Sequence, residues 1–383
     1  MSGSNDSEAS GYFLYHSIGM FPGKAERIAA AVASLGNLWG TPNDRQWEHS
    51  LRIRTQFLVR WSELIGAPAG TMTTAENVTT ALYSLVGSLP DRYLKGRKLL
   101  IAADCFPSLH FLLSGMAQRR GFTLHTVAMR AGEAWVRDED FIAAWGPEVG
   151  VALLTWVTST GSHRCDLRAL VEHGRARGSL VGVDITQGVG IVPFHLSAMN
   201  VDFVVGSTLK WLCGVAGAGV LQVRESLLPE CTPELRGWFS QENPFAWALD
   251  SFEYAGDARR FDSGTPSIFA AAACLPALDW HASKELSLLA HHNRALCDAV
   301  IKGCANLGFE LVSPASAEER GGSVMFRLPA RVDPAAVVAG LREQNLYADC
   351  RGNILRISPG HATTAAGVER LLRALHSQQV FAG

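Results

Sequence analysis

One lysine constrains this chain more than any other residue. Lys210 follows the largely apolar run Val201 to Leu209 (VDFVVGSTL) and precedes Trp211, Leu212 and Cys213. A lysine just past a strand is ordinarily a solvated surface charge, because lysine is almost never buried unpaired. An amine held among apolar groups has a lowered pKa and condenses with aldehydes. Upstream, a second apolar strand, Val181 to Asp184, ends in an acid. A strand-end aspartate alone is usually a turn or cap residue. Together the amine and the acid suit an aldehyde cofactor whose ring nitrogen the carboxylate keeps protonated, which is the chemistry of pyridoxal 5'-phosphate.

The surrounding pattern supports a site at strand ends. Apolar strands are predicted at Leu99 to Ala103, at Val149 to Val157 and through the two strands above, with helices between them. Asp166 is placed to cap a helix with Leu167, Leu170 and Val171 inward. Strand and helix alternate from about residue 70 to 225, which predicts an α/β fold with a mostly parallel sheet and ligands beyond the strands' carboxyl ends. Phe106, Thr158, Asp184 and Lys210 all fall at or after such ends. Near Asn77 to Thr79 a helix start offers free N–H groups to an anion, although an ordinary cap explains those residues equally well.

The spacing Asp184-x-x-Gln187-x-x-Gly190, a second strand, then Ser207-Thr208-x-Lys210-Trp211 and a glycine-rich turn resembles the cofactor core of the class V aminotransferase family, closest to its kynureninase-like members. Phe106-Pro107 and the run Gly237-Trp238-Phe239 to Gly264-Thr265-Pro266 extend the resemblance. It implies pyridoxal phosphate fold type I, the aspartate aminotransferase-like architecture, with a smaller α+β domain after the large one. Expected boundaries are a disordered tail at 1–10, a segment at 11–45 packing with the small domain, a cofactor domain at 46–265 and a small domain at 266–383.

By this resemblance Lys210 forms the Schiff base and then moves the α-proton, while Asp184 holds the ring nitrogen. Phe106 and Thr186 flank the ring, Gln187 faces its hydroxyl, and Thr158 shapes the pocket floor. Val78, Thr79 and Ser207 take the phosphate, completed by Trp238 and Thr265 of a neighbouring subunit in a homodimer. Arg356, between Ile354-Leu355 and Ile357, is costly to bury without an acid; the resemblance makes it the grip on a substrate α-carboxylate.

Two residues depart from the kynureninase pattern. Leu109 stands where those enzymes carry an acid, and Leu209 where they carry a tyrosine. Desulfurases need a mobile cysteine farther from the arginine than Cys350, which is six residues before Arg356. The expected function is Cα deprotonation of an α-amino acid followed by Cβ-bond cleavage. An aminotransferase or epimerase on the same scaffold is the alternative, and a cofactor-free binding protein a third reading. The net charge of -2 gives no case for nucleic acid or an anionic membrane, and eight scattered cysteines suggest neither zinc nor a disulfide framework. Without a signal-like N-terminus or a membrane-length apolar run, a cytoplasmic protein is expected.

Overall fold

The computed structural model describes residues 11–381; the tail expected at 1–10 lies outside them. The larger sheet has seven strands in the order β1-β7-β6-β5-β4-β2-β3. They are β1 Met72–Ala75, β2 Lys98–Ala102, β3 Thr123–Val127, β4 Val149–Thr155, β5 Leu180–Asp184, β6 Phe203–Ser207 and β7 Gly219–Val223. β2 to β6 run parallel, and β7 lies antiparallel to both β6 and β1. The mostly parallel sheet expected from the sequence is present.

Both faces of this sheet are covered, which is why its central strands read as continuous apolar runs. Alternate residues supply two cores. Val181 and Val183 of β5 and Val204 of β6 face one core, which takes Phe57, Trp61 and Ile65 from the helix Gln46–Ile65. Phe203 and Val205 face the other, with Leu82 and Leu85 from the helix Val78–Ser88 and Leu113 from the helix Pro107–Arg120. Between β5 and β6 the ring of Phe203 fills the space over Gly182, where an added Cβ would lie 1.9 Å from it.

A second, antiparallel sheet has the order β10-β11-β9-β8, formed by β8 Glu310–Leu311, β9 Val324–Arg327, β10 Asp349–Arg351 and β11 Ile354–Ile357. Its core contains Leu296, Val300 and Leu371 from two helices, and also Phe13 from the start of the chain. The segment around Phe13 is stitched to this sheet by Phe13 N donating to Tyr347 O at 2.8 Å and Ser358 N donating to Phe13 O at 2.9 Å. Among the described residues no helix is long and apolar enough to cross a membrane.

Distant partners shape the first two helices. Lys24–Gly40 runs through Gly36, and its Leu35 packs on Ile268 and Ala272. The buried stripe of Gln46–Ile65 contains Arg54 as well as Phe57, Trp61 and Ile65. Arg54 Nη2 donates to Asp262 Oδ1 at 2.7 Å and to Thr73 Oγ1 at 2.7 Å, tying this helix to β1 and to the 257–265 connection. Asp262→Ala should therefore cost about 3–5 kcal/mol in denaturant unfolding, since it leaves a guanidinium buried without its acid. A loss near zero would show that Arg54 is solvated in the native state.

Candidate active site

The carboxyl ends of β5 and β6 open into a cavity of about 510 Å³. Asp184, the last residue of β5, and Lys210, three residues beyond β6, both line it. The Lys210 loop is held from outside the sheet: Gly19 N donates to Leu209 O at 3.1 Å. A Cβ at Gly19 would fall 1.9 Å from Lys210 O, so only glycine allows that approach.

Burial lowers the pKa of Lys210 to about 8, against the raising effect of Asp184 and with further lowering by Arg356 and Arg351. Its Nζ lies 5.2 Å from the centre of the Phe106 ring. Asp184 is only 7 % exposed. Burial pushes its carboxyl upward, while two hydrogen bonds from Thr186 and the charge of Lys210 act the other way. Thr186 N and Oγ1 donate to the same oxygen, Oδ1, at 2.9 and 2.5 Å. Oδ2 accepts no hydrogen bond from the described residues.

The helix Val78–Ser88 begins at the cavity wall. Asn77 caps it reciprocally with Thr80: Thr80 N donates to Asn77 Oδ1 at 3.0 Å, and Asn77 N to Thr80 Oγ1 at 3.2 Å. The N–H groups of Val78 and Thr79, which line the cavity, are not used by that cap. A helix start with spare donors and a favourable dipole suits a phosphate. Ser207 lines the same space.

Val78, Thr79, Phe106, Asp184, Thr186, Gln187, Ser207 and Lys210 thus share one cavity. Gln187 is partly engaged, since its Nε2 donates to His16 O at 3.2 Å. Thr158 is absent from the lining; its Oγ1 accepts from His163 N at 3.1 Å and shapes the turn instead. Trp238 packs edge-on against Phe239 at 4.5 Å and Trp47 at 5.7 Å, away from this cavity. Thr265 lines a separate cavity of about 830 Å³, and Thr80 lines both. Arg356 lies behind Ser159, with its Nη1 donating to Ser159 O at 3.2 Å.

Sequence reasoning missed Thr155 and Ser159. Both line the cavity with buried hydroxyls that have no partner among the described residues. The position of Thr155 was legible in principle, since it ends β4 in register with Asp184. These unpartnered hydroxyls, the Asp184 carboxylate, the amine and the open helix start match the hydroxyl, ring nitrogen, aldehyde and phosphate of pyridoxal phosphate group by group. The residues present fit that cofactor.

A family model described as aminotransferase class-V matches residues 59–371. The chain is 27% identical to a kynureninase of Deinococcus radiodurans over 353 residues, covering 89% of this chain and 82% of that protein. It is 29% identical to an isopenicillin N epimerase of Streptomyces clavuligerus over 327 residues, covering 82% of this chain and 81% of that protein. Among solved structures, a cysteine desulfurase from Thermococcus onnurineus superposes with a TM-score of 0.85 at 17% identity, covering 96% of this chain and 94% of that one. That likeness establishes the fold.

The lowered lysine predicts a pH signature in the cofactor-free protein. Trinitrobenzenesulfonate should modify Lys210 with a midpoint near pH 8, because the neutral, reactive amine appears as pH rises through its pKa. Asp184→Asn should move the midpoint lower, since the carboxylate holds the ammonium form. A midpoint near the ordinary lysine value of 10.5 would contradict the burial described here.

Proposed function

The chain belongs to the class V aminotransferase family, of fold type I with pyridoxal phosphate as cofactor, and from that premise we propose that it removes the α-proton of an α-amino acid and then cleaves a bond at Cβ. The observation that carries this reading is the convergence of Lys210 Nζ, the Asp184 carboxylate and the start of the helix Val78–Ser88 on one cavity. When bound, the cofactor supplies an electron-accepting ring.

The chain's own residues do the rest. Val78, Thr79 and Ser207 would hold the phosphate by N–H and hydroxyl groups. Asp184, fixed through Oδ1 by Thr186, keeps Oδ2 for the ring nitrogen. Phe106 and Thr186 would flank the ring, and Gln187, Thr155 and Ser159 would supply polar groups to it. Lys210 would hold the cofactor at its aldehyde carbon through Nζ whenever no substrate amine occupies the site. With a pKa near 8, its freed amine takes the proton from Cα and can return it. Arg356 binds the substrate carboxylate. Thr158 supports the turn beside Ser159. A second copy of the chain brings Trp238 and Thr265 to the phosphate site of its neighbour. A cytoplasmic setting accords with this chemistry.

The likeness to kynureninase over most of the chain supports Cβ chemistry. Leu109 and Leu209 both line the cavity, so its wall is apolar where kynureninases place polar groups. Kynurenine itself should be a poor substrate. The same leucines, with the likeness to an epimerase, favour a second reading in which the α-proton is removed and returned, or the amine is transferred, without Cβ cleavage.

Two measurements test these assignments. An amino acid that turns over repeatedly without pyruvate or 2-oxoglutarate is expected; strict dependence on such an acceptor would replace the first reading with transamination. Asp184→Ala should retain cofactor through the phosphate contacts yet lose turnover roughly 10- to 100-fold, the worth of one charge-assisted hydrogen bond. Unchanged turnover would remove Asp184 from the ring nitrogen.

A further inference from the structure

Arg356 is already half committed. Its Nε donates to Asp349 Oδ1 at 2.8 Å, and its Nη2 donates to Asp349 Oδ2. Its Nη1 donates to Ser159 O at 3.2 Å. A guanidinium has five N–H groups, so one N–H on each terminal nitrogen is left without a partner among the described residues. Arg356 is 6 % exposed, and its charge is felt at Lys210.

The acid that holds it is itself fixed. Asp349 and Arg356 face each other directly across the β10–β11 hairpin, as a cross-strand pair whose register the ladder sets. On its far side, His16 Nε2 lies 3.2 Å from Asp349 Oδ1 without being aligned for a hydrogen bond, and burial lowers the pKa of that imidazole. His16 is buried and anchored at its other nitrogen, where Nδ1 lies 2.7 Å from Ser358 Oγ. Ser358 Oγ is in turn 2.6 Å from Ser323 Oγ. Burial alone would raise the Asp349 carboxyl, but the neighbouring His16 and Arg356 hold it down at about 2. It is therefore an anion at any working pH.

We propose that Asp349 is a positioning residue for substrate recognition: it takes the side-on fork of Arg356 and so presents the remaining terminal N–H groups to the carboxylate of an α-amino acid. The inference rests on the reading of Arg356 as the carboxylate grip. An arginine on a short strand has several rotamers, and a bidentate acid backed by an anchored histidine selects one of them. Asp349 also settles the charge balance. A substrate carboxylate meets a cation already half neutralised, so binding depends on the geometry of two N–H groups more than on net charge.

The test uses the holoenzyme and two probes, L-alanine and its carboxylate-free counterpart ethylamine, each titrated against the visible absorbance of the bound cofactor. In Asp349→Asn the dissociation constant for L-alanine should rise about 10- to 100-fold, as expected for loss of a charge-assisted pair. That for ethylamine should change less than about twofold, because the amine site is untouched and neutral steering is not involved. Asp349→Glu, which keeps the charge, should recover part of the loss. Arg356→Gln should weaken L-alanine at least as much as Asp349→Asn and leave ethylamine alone. If Arg356→Gln weakens L-alanine but Asp349→Asn leaves it unchanged or tightens it, Asp349 is a bystander or a competitor and this inference fails by itself. If Arg356→Gln leaves L-alanine unchanged, the carboxylate grip fails, and the inference with it. Equal weakening of both probes in Asp349→Asn would also overturn it, by showing general damage to the site.

Discussion

The arrangement depends on burying an amine and a carboxylate together where parallel strands end. Neither group is tolerable alone in that position: desolvation drives Lys210 toward its neutral form and Asp184 toward its protonated one. The sheet sets their placement, because Asp184 ends β5 and the Lys210 loop follows β6, its hydrogen-bonded neighbour. Thr186 engages only one oxygen of the carboxylate, and among the described residues the amine has no fixed acceptor. The pair is stabilised enough to survive burial and left incomplete enough to take a ligand with a basic nitrogen and an electrophilic carbon.

The site is then closed by parts of the chain far away in sequence. The segment before the first helix passes between the two sheets, donates from Gly19 to Leu209 O, accepts from Gln187 through His16 O, and carries its His16 side chain against Asp349. Arg356 reaches from the small sheet to Ser159 at the end of the large one. The N-terminal segment and the small sheet therefore both hold residues that line the cavity, namely Leu209, Gln187 and Ser159.

Much of this was legible before any coordinates. Continuous apolar runs ending in Asp184 and Ser207 identified the central strands because parallel strands are buried on both faces. A helix start near Asn77 to Thr79 was legible, and the structure begins that helix at Val78 with Asn77 and Thr80 capping reciprocally. Other features were hidden for physical reasons. Local pattern could not reveal that Gly36 sits inside a helix, because the stabilising contacts to Leu35 come from residues more than two hundred positions away. Arg54, Asp262, His16 and Asp349 are charged residues whose burial depends on partners distant in sequence. An acid partner for Arg356 was anticipated, but which acid it is follows only from the β10–β11 register. Thr158 was predicted at the pocket from its strand-end position, yet its hydroxyl turns to His163, and it is Ser159 beside it that lines the cavity.

The most direct test of the whole account is chemical. Borohydride reduction of the cofactor-loaded protein, followed by proteolysis and mass spectrometry, should place the reduced pyridoxyl group on Lys210. Lys24 is the natural internal control. It is also half-buried with a lowered pKa, but its Nζ is spent on Gly19 O at 2.7 Å and Gly214 O at 3.0 Å. An adduct on Lys24, or on any lysine other than Lys210, would contradict the site described here.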